Sequence, residues 1–231
     1  YRKHKMDTPF KEILSLDLYQ LLKPCQSLFK LSKMKQPDLE NFVGIHNRKY
    51  CDGGQCIRLY KTFMKKKDPE AANIVMGHNE EDLLGLGTIF SLLAYKKLYD
   101  GEYYPKQCVI LEQELKIVIE LSAAAPVNVS CGNSDFYLSV NGYEARMLVH
   151  LKEGKLRQYY RNYKDYEFIP GEDTAMPKSI TRYMDKSLKI ATTPQTCYTW
   201  FNCDEDFLNN EKKQMQYLTH TLPFFLDNLN K

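Results

Sequence analysis

The chain has 231 residues, enough for one large domain or two small ones, with a core that folds without staples. Its 43% hydrophobic and 26% charged residues exclude a disordered or low-complexity chain. Thirty-two basic residues against 29 acidic ones leave a formal charge of +3, too small to imply a polyanionic partner by itself, so any basic surface must be local.

The first hundred residues carry helix signals. KEILSLDLYQLL, residues 11–22, reads as a short strand running into a helical turn near Asp17. In KQPDLENFVGI, Pro37 sits where a first helical turn tolerates it, and Asp38 and Glu40 favour the positive end of the helix dipole. NRKYCDGGQC is a turn-rich loop, because Asp-Gly-Gly permits positive φ. IRLYKTFMKKKD has helical period, and DPEAANIVM restarts a helix at Pro69.

Past Gly101 the period changes. QCVILEQELKIVIELS, residues 107–122, alternates and is rich in Val and Ile; DFYLSV and YEARMLVHL follow, and KEGK is suited to closing a hairpin onto LRQYYRNYKDYEF. One helix is expected around DTAMPKSITRYMDKS. The change near residue 105 is the expected boundary, giving domains 1–105 and 106–231, and no internal repeat interrupts either.

Between the halves lies VMGHNEEDLLGLGTIFSLLAYKKLYDG, residues 75–101. If a helix starts near Asn79, that residue caps it, Glu80, Glu81 and Asp82 favour its positive pole, and His78 is incidental. Leu83, Leu86, Ile89, Phe90, Leu93 and Ala94 then form its buried stripe, with Gly85 and Gly87 allowing close packing. The functional reading makes His78 and Asp82 an H-x-x-x-D unit, in which a carboxylate binds a divalent metal and a histidine takes a proton from attacking water. One aspartate cannot hold two metals, so partner carboxylates must come from elsewhere.

The order LSLDLYQLLKP, LFKLSKMKQPDLENFVGI, YCDGGQCIRLY and GHNEEDLLGLGTIFSLL resembles the later part of a YprB-type ribonuclease H-like domain, in the DEDD exonuclease-like superfamily. NYKDYEFIPGEDTAMPKSITRYMDKSLKIATTPQTCYTWF resembles the tail domain of Firmicutes proteins that carry it. The resemblance implies an α/β fold: the C-terminal portion of a ribonuclease H-like domain, then a strand-rich α+β accessory domain. It also implies a 3′–5′ exonuclease acting on DNA or RNA with Mg²⁺ or Mn²⁺, with Asp82 as a metal ligand, His78 as general base, and Glu81 at most supporting them.

That family pattern has four acidic ligands, of which only the one in the third motif, Asp82, is recognisable. The first two motifs are expected upstream of YRKHKMDTPF, and the chain opens on Tyr1, as a piece of something longer would. Taken alone it is expected to be a poor nuclease or none. Two internal D-x-E triplets, Asp38-Leu39-Glu40 and Asp100-Gly101-Glu102, read as a helix start and a post-helix turn, not as the strand a metal-binding D-x-E needs. Asp17 reads as a strand-end cap or a residue near the cleft.

RQYYRNYKDYEF interleaves basic and aromatic residues. On an extended strand Tyr159, Arg161 and Tyr163 share one face, able to stack bases and contact phosphates of single-stranded nucleic acid, or else to form an edge strand with solvated cations. This supports an alternative, a non-catalytic nucleic-acid- or protein-binding module on a degenerate nuclease scaffold. The seven cysteines form no C-x-x-C pair, and neither Cys51 with Cys56 nor Cys197 with Cys203, together with His46 or His220, has zinc spacing. No cysteine has a nucleophile context, and Lys65 to Lys67 reads as a solvated helix end. No apolar run approaches the roughly 18 residues of a membrane span and no signal peptide is visible, so the expectation is a reduced, cytoplasmic protein without membrane contact.

Overall fold

A computed structural model describes residues 12–46, 48–50 and 53–229. Lys11 of the expected strand, and Cys51 and Asp52 of the expected turn, lie outside them. Residues 14–17 are not a strand; Asp17 instead caps helix α1 (Leu18–Leu22), its carboxylate accepting the Gln20 N–H at 3.2 Å. A 3₁₀ turn then leads into α2 (Gln26–Phe29), which ends at Lys30 in the left-handed region. In α3 (Gln36–Phe42), Pro37 occupies the first turn as expected, and Asp38 accepts the Lys35 N–H at 3.1 Å. Helix α4 spans Gly53–Lys66.

The next helix, α5 (Pro69–Ile89), absorbs both expected segments into one run of 21 residues. Its cap is Asp68, which accepts the Glu70 N–H at 3.0 Å, so Asn79 is interior and His78 and Asp82 stand one turn apart at mid-helix. Gly77 weakens the helix but does not end it: nothing in the DPEAANIVMG run after Pro69 removes a hydrogen bond from the ladder, and a helix once nucleated continues. The expected stripe also splits. Ile89 and Ala94 are buried, but Leu83 is 71% exposed and Leu86 and Phe90 are exposed too. After a 3₁₀ turn, α6 (Leu93–Asp100) stops at Gly101, whose φ of +88° serves the left-handed C-cap.

Strands β1 (Tyr103–Leu111), β2 (Glu114–Gly132) and β3 (Phe136–His150) form an antiparallel meander in that order. In β2, Leu115, Ile117, Ile119 and Leu121 point inward by the period of two the sequence shows. Register shifts between Glu120 and Val129 bend this long hairpin, with Gly142 at φ +54° opposite the bulged strand.

The KEGK turn forms, with Gly154 at φ +73°, but β4 (Lys155–Tyr159) is not laddered onto β3; it pairs with β8 (Tyr198–Asn202). Between these lies a small sheet with β5 (Tyr166–Ile169) flanked by β6 (Thr174–Pro177) and β7 (Ile190–Ala191). The expected helix around residues 173–187 is reduced to α7 (Lys178–Thr181), because its first residues extend as β6. Helices α8 (Glu205–Leu208) and α9 (Glu211–Asp227) close the chain.

Tyr217, Leu218, Leu222 and Phe225 of α9, and Tyr95 and Leu98 of α6, join the inward face of the meander and Leu22 and Leu28 of the early helices in one buried cluster. Each such fully buried side chain contributes roughly 1.5–3 kcal/mol. The Tyr95 hydroxyl donates to the Val127 carbonyl and accepts the Val127 N–H at 3.2 Å, tying α6 to the bent part of β2. Among the described residues no helix is long and apolar enough to cross a membrane.

One face of α5 is shaped for the segment that crosses it. A Cβ on Gly77 would lie 2.2 Å from the Tyr50 ring, and one on Gly85 would lie 1.9 Å from a Glu40 carboxylate oxygen, whereas one on Gly87 meets nothing within 4 Å. Gly87→Ala should therefore raise stability by about 0.8–1 kcal/mol through helix propensity. Gly85→Ala should lower it, and urea unfolding of the two variants checks this opposition of sign.

Candidate functional site

Helix periodicity puts Gly77, Glu81 and Gly85 on the face of α5 that meets residues 40–50, with His78 and Asp82 beside it. Glu81 accepts the backbone N–H groups of Lys49, at 2.8 Å, and Tyr50, at 3.3 Å. It thereby fixes the segment that carries Arg48.

Arg48 is the centre of the site. Its Nε donates to Glu40 Oε2 at 2.7 Å and its Nη2 to Glu40 Oε1 at 2.8 Å, a bidentate pair. The same Nη2 donates to Asp82 Oδ1 at 2.6 Å. Gln36 Nε2 completes the enclosure, donating to Glu40 Oε1 at 2.9 Å and to the Asp82 carbonyl at 2.7 Å. The other Asp82 oxygen, Oδ2, lies 3.4 Å from His78 Nε2, and His78 Nδ1 is buried without a hydrogen-bond partner.

Glu40 is only 2% exposed, yet hydrogen bonds from Arg48 hold its carboxyl below the usual range despite the opposing effect of burial. The same bonds push the Arg48 guanidinium higher still. Such a pair gains little over an apolar substitute, but removing one partner leaves the other charge stranded.

The expected pair His78 and Asp82 is thus brought together, and a participant that sequence reasoning set aside, Glu40, joins it. Its D-x-E neighbour Asp38 is spent on capping α3. The other D-x-E is a surface feature, with Asp100 paired to Lys96 and Glu102 to Lys97. Among the described residues no three His, Cys, Asp or Glu side chains converge to hold a metal ion. Glu40 and Asp82 both face the Arg48 guanidinium, so these residues by themselves do not fit a divalent ion.

The aromatic segment is arranged differently from the extended strand expected for it. Strand β4 ends at Tyr159, which is buried, stacks on Phe224 at 3.7 Å between centroids, and meets Tyr198 edge-on. Arg161 lies beyond the strand, donating to the Tyr99 hydroxyl at 2.5 Å and pairing with Asp227 at 3.3 Å. Tyr163 opens a 3₁₀ turn. The three therefore share no strand face. A basic and aromatic group that the sequence does not suggest assembles instead at Arg157 with Tyr198 and Trp200, through the pairing of β4 with β8.

Residues 1–94 match the family model RNase_H_2, described as RNase_H superfamily. This match supports a ribonuclease H-like domain. The whole chain is mixed α/β, as expected, although every described element within the matched region is helical. No curated protein and no solved structure matches the chain.

Arg48→Met should cost about 3–5 kcal/mol in urea unfolding, since it strands the buried Glu40 charge. The pH dependence has a definite sign. Because the Glu40 carboxyl is lowered in the folded state, its contribution is complete above the unfolded value of about 4.3 and is lost as pH falls through the lower folded value. The stability difference between wild type and Glu40→Gln should therefore hold steady from pH 7 to about 5 and shrink below about pH 4.

Proposed function

We propose that residues 1–105 are the later part of a YprB-type ribonuclease H-like nuclease domain and residues 106–231 an accessory domain of the kind Firmicutes members carry. In this reading the intact protein is cytoplasmic and hydrolyses phosphodiester bonds of DNA or RNA as a 3′–5′ exonuclease. The observation that carries it is the superfamily match over residues 1–94, which includes the His78 and Asp82 pair. The five cysteines Cys25, Cys108, Cys131, Cys197 and Cys203 form no disulfide, in keeping with a reducing compartment.

Mg²⁺ or Mn²⁺ would supply charge neutralisation at the phosphate and activation of water. Asp82 would serve as a ligand only after Arg48 releases Oδ1, and only with further oxygen ligands from outside the described residues. His78 is the proposed base: its Nε2 faces Asp82 Oδ2 at 3.4 Å, so the proton would be taken at Nδ1, which water has to reach for the site to work.

A second reading, a non-catalytic nucleic-acid- or protein-binding module, is favoured by one observation: Arg48 already satisfies both Glu40 and Asp82. A metal-dependent nuclease assay on the full-length protein separates the two. Under the nuclease reading wild type cleaves labelled DNA or RNA, and His78→Ala lowers kcat by about 10²–10⁴. Asp82→Asn should lose activity comparably; wild-type activity in that variant refutes the assigned site. A wild type that cleaves neither substrate leaves the binding module as the function.

A further inference from the structure

We propose that the cleft beside Trp200 is a binding site for a phosphate group, gripped by the guanidinium of Arg157. The site lies in the second half of the chain and its argument is independent of the nuclease reading. Antiparallel pairing of β4 with β8 sets Arg157 directly opposite Trp200. The Arg157 guanidinium lies 4.7 Å from the Trp200 ring centroid and 4.9 Å from that of Tyr198. Both rings are pinned by one residue: Asp173 accepts the Tyr198 hydroxyl at 2.6 Å through Oδ1, and its carbonyl accepts the Trp200 Nε1–H at 2.9 Å. The aromatic wall is therefore rigid before any ligand arrives.

What the wall does not supply is an oxyanion. Arg157 Nε is buried with no hydrogen-bond partner, and the carboxylate paired with the guanidinium, Asp135, stands off at 3.7 Å. The Tyr159 hydroxyl is a hydrogen-bonding partner of the guanidinium, but a neutral one. A guanidinium has five donors in a planar fork, matched to two oxygens of a phosphate, and leaving a buried donor unmatched is costly. Arg157 borders a cleft of about 170 Å³, also lined by His150, Lys152, Asp135 and Trp200. Lys152 Nζ lies 5.5 Å from the Trp200 centroid, adding a second cation at the rim.

The volume selects the ligand's size. It is well below the roughly 300–1,000 Å³ of pockets that enclose whole small molecules, so a terminal group enters and the remainder stays outside. A phosphate is favoured over a carboxylate because two cations, Arg157 and Lys152, line the cleft with one carboxylate, Asp135, while the Asp173 carboxylate is taken up by the Tyr198 hydroxyl and the Trp200 N–H. The group belongs either to a free phosphate compound or to the phosphorylated end of a nucleic-acid strand.

Trp200 is the only tryptophan in the chain, so all tryptophan emission comes from this aromatic wall, and the Arg157 variants tie a change to this cleft. Titration of the full chain with inorganic phosphate at constant ionic strength should give a saturable change in emission. Arg157→Met should weaken binding at least tenfold, and Arg157→Lys should recover little, because the fork is lost while the charge is kept. If the Arg157 variants do not fold, Lys152→Met and Asp135→Asn decide the matter, weakening and strengthening binding respectively. Comparing oligonucleotides of one sequence with 5′-phosphate, 3′-phosphate or hydroxyl ends assigns the source: end-phosphate preference marks a strand terminus, and saturable inorganic phosphate without that preference marks a free phosphate. No saturable change with any probe, or equal affinity in wild type and the folded Arg157 and Lys152 variants, overturns the proposal. None of these readouts involves His78 or Asp82, so the nuclease reading stands or falls separately.

Discussion

A single guanidinium between two carboxylates organises the first half of the molecule. Arg48 reaches from the segment after α3 to Glu40 within α3 and to Asp82 within α5. Three pieces of chain are thereby joined by charge. The conditions for this joint are spread along α5: Gly85 leaves room for the Glu40 carboxylate, Gly77 for the Tyr50 ring, and Glu81 holds the intervening backbone by its N–H groups. Because a buried ion pair is stabilising only when every partner is present, the arrangement is specific but brittle. It also decides what Asp82 is free to do, since a carboxylate oxygen already accepting a guanidinium proton has little left for a cation of any other kind.

The second half rests on a different principle. There the meander and the helices packed on it, those of the first half included, bury aliphatic and aromatic side chains in one cluster from Leu18 to Leu226, and polar groups inside it are few. The Tyr95 hydroxyl, bonded both ways to the Val127 backbone, satisfies β2 where its register shifts and its own ladder is interrupted. Bending the long hairpin thus leaves no stranded backbone group at Val127, and it lets α6 and α9 sit against the same sheet.

Local features of this architecture were legible in the sequence. The Asp38 and Pro37 helix start, the Gly101 helix stop and the alternation of Leu115 to Leu121 all depend on neighbours a few residues away. The failures share a cause in distance along the chain. Nothing local to KEGK says that the strand after it will pair with residues 198–202, so the β3 hairpin expected there gave way to a partner that also aligns Arg157 with Trp200. Likewise Leu83 and Phe90 carry the pattern of a buried stripe, but which part of a helical face is covered depends on what packs there. Glu40 was set aside because a D-x-E on a helix cannot aim both carboxylates one way. That geometry is correct, and Asp38 does turn to the cap while Glu40 alone turns inward.

The two arginines that matter most show how the same side chain can close a site or leave one open. Arg48 already makes three hydrogen bonds to carboxylate oxygens, two to Glu40 and one to Asp82, each at 2.6–2.8 Å. Its charge is spent on the fold. Arg157 is held chiefly by the faces of aromatic rings, which fix a guanidinium's position without consuming its donors, because the attraction acts on the plane of the cation while the N–H bonds lie in that plane. Rings orient it, the Asp135 carboxylate approaches only to 3.7 Å and Nε has no partner, so donor capacity remains in its plane. Candidate binding groups in a charged surface are better recognised by this difference, between a cation that is positioned and one that is satisfied, than by counting basic residues along a strand.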